Sequence, residues 1–421
     1  MSTAGNRGDT VSAAPAQGIS LDPWFEHYAD RSSGLSASEV RSLFAVASRP
    51  EVVSLAGGMP YVKAIPDDMM KRTLNRVIDE RGAEALQYGS GQGHPELREK
   101  IVEIMALEGI SARPDDVVVT TGSQHGLDLI ARLFINPGDV VIAEAPSYVG
   151  AMGVFRSYEA DVRHVEMDAD GIIPAALSES ISQARSEGKP IKMIYLIPTF
   201  HNPAGVTLSA GRRLEVLDIA QHEGILVVED NPYGLLWFDQ PAPPAMRAAG
   251  AQGVIYLGSF SKTFGPGLRV GWVVAPHGIR EKLVLASEAA VLSPSSFSQL
   301  VVADYFQRSD WKGQIDTFRD IYRDRRDAMV KALAHELPAI KHTQPSGGFY
   351  LWLTLPDGLN SKEMLPRAVT ELVAYTPGTA FFADHRGAQN IRLAFCYPTP
   401  EEITEGVSRL AKVIREEIEL V

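Results

Sequence analysis

Between residues 115 and 275 the chain alternates short β-branched runs with amphipathic stretches. Val117–Thr121, Val140–Ala143, Met193–Ile197, Ile225–Val228, Val254–Leu257 and Gly271–Val274 have the length and apolar character of buried strands. Between them, Gln124–Phe134, Tyr148–Ser157, Pro174–Arg185 and Ala210–His222 repeat apolar residues three and four apart, which predicts helices with one buried face. Such alternation predicts an α/β fold built on a mostly parallel, doubly wound sheet. After Ala275 the pattern changes. A long helical region from Ile279 to Leu337, broken at VLSPSS (291–296), leads to two strand-like runs, Gly348–Thr354 and Asn390–Phe395, and to a charged helix from Glu401 onward. The expected organisation is therefore a flexible tail (1–20), a segment (21–60) with a helical pattern and the extended run Val52–Leu55, a large domain (61–290) and a smaller α+β domain (291–421) to which the 21–60 segment packs.

With 421 residues, 45% of them hydrophobic, the chain can fill two or three cores at roughly 150 residues per domain. Lys+Arg 40 against Asp+Glu 52 leaves a net charge of −12, which opposes binding to nucleic acid or an anionic membrane. The single cysteine, Cys396, excludes an intrachain disulfide framework and a multi-cysteine metal site, and it suits a reducing cytoplasm. No metal site is expected. Residues 1–20 lack the apolar stretch of a secretory signal, and no uninterrupted apolar run reaches the roughly 18 residues of a membrane span.

In sheets of this kind ligands sit beyond the carboxyl ends of the strands. Four polar segments fall there. Ser259-Phe260-Ser261-Lys262 through Arg269 follows the run Val254–Leu257. The Lys262 amine can condense with an aldehyde, and Ser259, Ser261 and Arg269 suit a phosphate; a surface loop with a solvated lysine is the competing reading. In Leu226–Tyr233 (LVVEDNPY), Asp230 ends a buried strand and needs a cationic or donor partner, such as a protonated pyridine nitrogen. Taken alone, a helix cap explains it as well. In Ile197–Gly205 (IPTFHNPAG), Asn202 is held extended before proline, so its amide and the Tyr233 hydroxyl can donate to one ring oxygen; an Asn-Pro turn is the alternative. In Val118–Gly126 (VVTTGSQHG), a strand passes through glycine into a helix whose N-terminus and Ser123 suit an anion, or simply cap the helix. Tyr148, after a further strand, can stack on an aromatic ring or belong to the core. Together these supply a lysine, a ring-nitrogen acid, ring-oxygen donors and a phosphate cup, the parts pyridoxal 5'-phosphate requires of a protein.

SLAGGMP (54–60), LQYGSGQGHPELR (86–98), TTGSQHGLDLI (120–130), EAPSYVGAM (144–152), IYLIPTFHNPAG (194–205), VVEDNPY (227–233), IYLGSFSKTFGPGLRVGW (255–272), GGFYLW (347–352) and IRLAF (391–395) follow one another in family order. On these stretches the chain resembles the fold-type I pyridoxal-phosphate aminotransferases of class I/II, in the branch of the 2-aminoadipate and kynurenine II enzymes. The resemblance implies that Lys262 carries the cofactor as an imine and, once released, acts as general base and acid. It implies that Asp230 pairs with the pyridinium nitrogen, that Tyr233 and Asn202 bind the 3' oxygen and that Tyr148 stacks on the ring. Ser123, Gln124, Ser259, Ser261 and Arg269 would surround the phosphate. Tyr88 would reach the phosphate of the other subunit of a homodimer. Arg392 would clamp the substrate α-carboxylate with Asn202 and the backbone near Gly58. Arg41, in SASEVRSL, aligns with an arginine that meets distal groups of acidic substrates, although a solvated helix position explains it equally.

Tyr61, in MPYVKAIP, falls where side-chain selectivity is set, and His201 and Asn231-Pro232 are local departures. The implied activity moves the amino group of an L-amino acid to a 2-oxo acid, 2-oxoglutarate or pyruvate, by a ping-pong route. Candidate donors are 2-aminoadipate, aromatic and branched-chain amino acids. A lyase or synthase on the same fold, by β- or γ-elimination or in the manner of aminocyclopropane-carboxylate synthase, is the alternative, because function belongs to the site. A regulator with an aminotransferase-like domain stands further off, since about 20–50 residues precede the matching region and the acidic balance opposes DNA binding.

Overall fold

The computed structural model describes residues 22, 24–35, 49–249, 252–384 and 386–420. The expected tail and Arg41 lie outside the described residues. The strands are β1 (Val53–Ser54), β2 (Val117–Thr120), β3 (Val140–Ala145), β4 (Asp161–Asp168), β5 (Gly171–Ile172), β6 (Ile191–Leu196), β7 (Leu226–Asp230), β8 (Val254–Ser259), β9 (Gly271–Val274), β10 (Lys341–His342), β11 (Tyr350–Thr354), β12 (Val373–Ala374), β13 (Thr376–Pro377) and β14 (Asn390–Ala394). Among the described residues they form an eight-stranded sheet in the order β2-β9-β8-β7-β6-β3-β4-β5, a four-stranded sheet β10-β11-β14-β13, and the pair β1-β12.

The large sheet is parallel from β4 through β3, β6 and β7 to β8. Only β9, antiparallel to both β2 and β8, and the short β5 run against the rest. Reversing β9 alone leaves β2 pointing the same way as β8. The carboxyl ends of β2, β3, β6, β7 and β8 therefore open on one edge, where the amino end of β9 joins them. Period two decides the layering. Val141 and Ala143 of β3 pack with Leu127, Ile130, Phe155 and Leu283 from helices on one face. Val140 and Ile142 pack with Leu177, Ile181, Val216 and Ala220 from helices on the other. This is the doubly wound arrangement that the alternation of patterns predicts.

Departures from the sequence reading include strand β4 and the long helical region. Strand β4 (DVRHVEMD) was not foreseen, because most of its residues are only partly buried and its polar side chains resemble a loop. Arg163, Asp161, Glu187 and Lys189 pair their charges along this edge. The long helical region is three helices, His277–Val291, Ser296–Arg308 and Trp311–Glu336. The second break falls at Ser309-Asp310, where the Asp310 side chain caps the last helix by accepting from the Gly313 N–H at 3.0 Å.

Residues 49–55 join the C-terminal part, with Val53 paired to Val373 and Ser54 to Ala374. The four-stranded sheet is antiparallel throughout and packs its apolar face under the helices Trp311–Glu336 and Pro400–Leu420. In its middle Arg392 of β14 lies opposite Trp352 on one side and Thr376 on the other. Among the described residues no helix is long and apolar enough to cross a membrane.

Candidate active site

A cavity of about 510 Å³ opens at the carboxyl edge of the large sheet, closed on its far side by the four-stranded sheet. Ser123, Gln124, Tyr148, Asn202, Asp230, Tyr233, Ser259, Ser261, Lys262, Arg269, Arg392 and Gly58 all line it. Topology brings them together: most end or follow a strand of the large sheet, Arg269 precedes the reversed β9, Gly58 follows β1, and Arg392 comes from the middle of β14.

Lys262 stands just beyond β8. Its Nζ donates to the Gly58 carbonyl at 2.8 Å and lies 5.5 Å from the centre of the Phe349 ring. Burial pulls the amine down to about 8. A useful fraction is then neutral near physiological pH, the form in which an amine attacks a carbonyl.

Asp230 ends β7 and is buried. Its Oδ2 accepts from the Tyr195 hydroxyl at 2.8 Å, while Oδ1 has no protein partner. Burial pushes the carboxyl up to about 6, against the Tyr195 hydrogen bond that lowers it. A buried acid with one empty acceptor fits a cationic N–H such as that of a protonated pyridine. The orphaned oxygen is what pyridoxal phosphate would satisfy.

Arg392, 3% exposed, reaches the cavity from the opposite sheet. It donates to Asn202 Oδ1 at 3.0 Å, to the Ala56 carbonyl at 2.7 Å and to Thr376 Oγ1 at 3.3 Å. These partners are uncharged, and its Nε is buried without one. The guanidinium lies over the Tyr350 and Phe381 rings, 4.2 and 4.8 Å from their centres. A buried cation held only by neutral groups is prepared for an anion, and a carboxylate can take it by two parallel bonds. Tyr233, 2% exposed, meets Tyr350 edge-on, with ring centres 6.1 Å apart.

At the other end, Gly122 takes φ 79° and starts the helix Ser123–Phe134. A Cβ on Gly122 would come within 2.4 Å of Arg269 Nη2. Arg269 itself takes φ 52°, which aims its guanidinium back across Thr121, where Nη2 donates to the carbonyl at 3.3 Å. Ser259 Oγ accepts from the Ser261 N–H at 3.0 Å, and Ser261 Oγ lies 3.5 Å from Arg269 Nη1. A helix N-terminus, an arginine and two hydroxyls converge here, the chemistry of a phosphate cup. Tyr148 donates to Gln124 Oε1 at 3.3 Å, and Gln124 in turn donates to the Gly150 carbonyl at 3.0 Å, so the tyrosine ring is set as part of the cavity wall. Burial pushes its phenol up to about 12, leaving it neutral.

Two of the sequence-predicted residues stand elsewhere. Tyr88 is 78% exposed and does not line this chain's cavity. Tyr61 lies behind the wall: its N–H donates to the Tyr322 hydroxyl at 2.9 Å, and its ring sits under Arg325. Tyr350 and Tyr195 were not singled out from the sequence. A tyrosine within an aliphatic buried strand is the available signal, because its hydroxyl must find a partner. Gly58 depends on Tyr350 directly, since a Cβ there would fall 1.7 Å from the Tyr350 hydroxyl.

The family model for aminotransferase class I and II matches residues 51–410. The chain belongs to this family. The aminotransferase is 41% identical over 398 residues to aromatic-amino-acid aminotransferase 1 of Thermococcus litoralis, covering 93% of this chain and 95% of that protein. It is 35% identical over 403 residues to 2-aminoadipate transaminase of Thermus thermophilus, covering 94% and 99%. Among solved structures, a Pyrococcus horikoshii kynurenine aminotransferase in complex with PMP superposes with a TM-score of 0.89 at 39% identity, over 93% of this chain and 98% of that one. The fold is therefore that of the fold-type I enzymes, and the family depends on pyridoxal phosphate.

Proposed function

We propose that this aminotransferase moves the α-amino group of an L-amino acid to 2-oxoglutarate or pyruvate, in two alternating half-reactions at one site. The observation that carries this reading is the convergence on one cavity of a depressed amine (Lys262), a buried acid with a free oxygen (Asp230) and a buried guanidinium with a free N–H (Arg392). Bound pyridoxal 5'-phosphate supplies an aldehyde and an electron-accepting ring that stabilises charge at the substrate α-carbon. Lys262 Nζ would hold that aldehyde and is the buried amine placed to accept and return a substrate proton as general base and acid. Asp230 would pair with the ring nitrogen through its unpartnered Oδ1 and favour the protonated ring. Tyr233 and Asn202 would take the 3' oxygen, Tyr148 would cover the ring, and Ser123, Gln124, Ser259, Ser261 and Arg269 would hold the phosphate. Arg392, with Asn202 and the Gly58 backbone, would fix the substrate α-carboxylate and so orient the α-carbon toward Lys262.

The donor is an aromatic, branched-chain or 2-aminoadipate-like amino acid. Lys262, Arg269 and Arg392 are the lysine and arginines on the cavity lining, and each already has a role; Met59, Val149 and Ile197 line it beside them. This supports an uncharged side chain, with Arg41 supplying the counter-charge for an acidic one and Tyr61 shaping the wall behind Gly58. The exposed Leu86 and Tyr88 support a homodimer in which Tyr88 reaches the other subunit's phosphate. The buried, unpaired Cys396 supports a cytoplasmic setting.

The test is a panel of amino donors with 2-oxoglutarate or pyruvate as acceptor. One equivalent of new 2-oxo acid should appear per acceptor consumed, and one per active site when the acceptor is omitted. Release of ammonia with no demand for acceptor would replace the transaminase by a lyase.

A further inference from the structure

Behind the wall that carries Asp230 lies a second cavity of about 320 Å³, lined among others by Glu108, Gly234, Trp237, Trp311 and Arg319. Glu108 follows the helix Pro95–Ala106, and its carboxyl group lies between Asn231, just after β7, and Tyr256 of β8. Oε1 accepts from Asn231 Nδ2 at 2.8 Å, and Oε2 accepts from the Tyr256 hydroxyl at 2.6 Å. Asn231 is the residue directly after Asp230, and its N–H donates to the Leu257 carbonyl of β8 at 2.9 Å. Tyr256 lies on β8, opposite Glu229, on the strand that delivers Ser259 and Lys262. One carboxyl group thus bonds both to the residue after the ring-nitrogen acid and to a residue within the strand that leads to the lysine. The fit is close: a Cβ on Gly234 would fall 1.5 Å from Glu108 Oε1. Asn231 is 5% exposed, and its Oδ1 is buried with no partner.

We propose that Glu108 is a positioning residue for Asp230, acting through a hydrogen bond to Asn231 that has two alternative arrangements. The inference rests on the reading of Asp230 as the acid at the cofactor ring nitrogen. Ionised Glu108 accepts from the Asn231 amide N–H, as observed. A proton taken from solvent onto Oε1 turns that oxygen into a donor, and rotation of the Asn231 amide then presents Oδ1 as its acceptor. The orphaned oxygen and the bonded nitrogen exchange places, and the residue next to Asp230 is held in a different way.

Burial, more than the neighbouring charges, puts this exchange near neutrality. Burial pushes Glu108 up to about 7; Tyr256 and Asn231 oppose the rise by hydrogen bonding, Glu229 of β7 adds to it, and Arg213 of the helix Ala210–Glu223 opposes it. Across the cavity the helix Trp311–Glu336 presents Lys312, Asp316 and Arg319, of which Arg319 is engaged by Asp316 at 2.6 Å and by the Leu235 carbonyl at 2.8 Å.

Two variants of the full-length holoenzyme test the proposal. Glu108→Gln keeps an acceptor for Tyr256 and offers a permanent N–H to Asn231 Oδ1; Glu108→Leu removes both bonds. The readouts are the dissociation constant of pyridoxal phosphate, followed by quenching of protein fluorescence from about pH 6 to about pH 8.5, and the separate kcat and KM for an amino donor. The wild type should show a change in cofactor affinity near pH 7 that Glu108→Gln lacks. Glu108→Leu should bind cofactor about tenfold more weakly at all pH values, as expected for loss of a charged hydrogen bond. Its KM for the amino donor should stay within about twofold, because Arg392 is untouched, while kcat falls. If both variants keep the wild-type affinity and pH profile while Asp230→Ala loses cofactor, Glu108 is a packing residue and the proposal fails alone. If Asp230→Ala also keeps full affinity, the reading of Asp230 fails with it.

Discussion

Replacing Asp230 by Asn should stabilise the cofactor-free enzyme. The Asp230 carboxyl moves from an ordinary value of 3.8 to about 6 because it is buried with a single hydrogen bond. A carboxyl raised in this way favours the folded state below its unfolded value, and that contribution is lost as the pH climbs through the folded one. A rise of roughly 2 units corresponds to about 3 kcal/mol against folding once the group is ionised. The full penalty is present at about pH 8, falls to about half near pH 5 and vanishes below about pH 4. Asparagine keeps an acceptor for Tyr195 and never ionises, so it escapes this cost.

At roughly 2.1 cal/mol/K of unfolding entropy per residue, a chain of this length loses or gains about 1 °C per kcal/mol, so the variant should melt about 3 °C higher at pH 8. Scanning calorimetry of the cofactor-free proteins at about pH 5 and about pH 8 reads the difference directly. With saturating pyridoxal phosphate the order should invert, because only the wild type offers an anion to the ring nitrogen. An Asp230→Asn enzyme that melts at or below the wild type at high pH without cofactor, or whose advantage is the same at both pH values, would refute the argument.

Arg392→Leu should raise KM for both amino and 2-oxo acids by about two to three orders of magnitude, the cost of losing a buried two-pronged carboxylate contact, while cofactor titration remains near normal; equal kinetics would remove Arg392 from the substrate site. Gly58→Ala should lower kcat/KM at least about tenfold without preventing folding, because the new methyl displaces the Tyr350 hydroxyl and with it Tyr233. An unchanged kcat/KM in a variant that folds and binds cofactor normally would show that this tyrosine pair does not shape the site.

The buried strands of the large sheet were legible because their β-branched runs alternate with helices of clear period. Strand β4 was not, because its charged residues pair with one another and cancel the apolar signal. Within the site, Lys262, Asp230 and Asn202 could each be read from their place after an apolar run. What one segment cannot reveal is a partner far along the chain. The Arg392 bond to Asn202 joins two separate sheets, and the need for glycine at position 58 arises from a tyrosine on β11. Glu108 carried no signal either, since its role depends on the closeness of Asn231 and Tyr256 in space. Side-chain chemistry at strand ends is local information, whereas the bonds that aim those side chains belong to the tertiary fold.

In the function proposed for this enzyme, Lys262 is the one covalent anchor of the cofactor. The most direct measurement is borohydride reduction of the pyridoxal-phosphate-loaded enzyme, followed by proteolysis and mass spectrometry of the peptides. One reduced cofactor adduct per chain is expected, carried by the Nζ of Lys262 and absent from Lys262→Ala. An adduct on another lysine, or an unmodified Lys262 peptide in enzyme that still transfers amino groups, would contradict it.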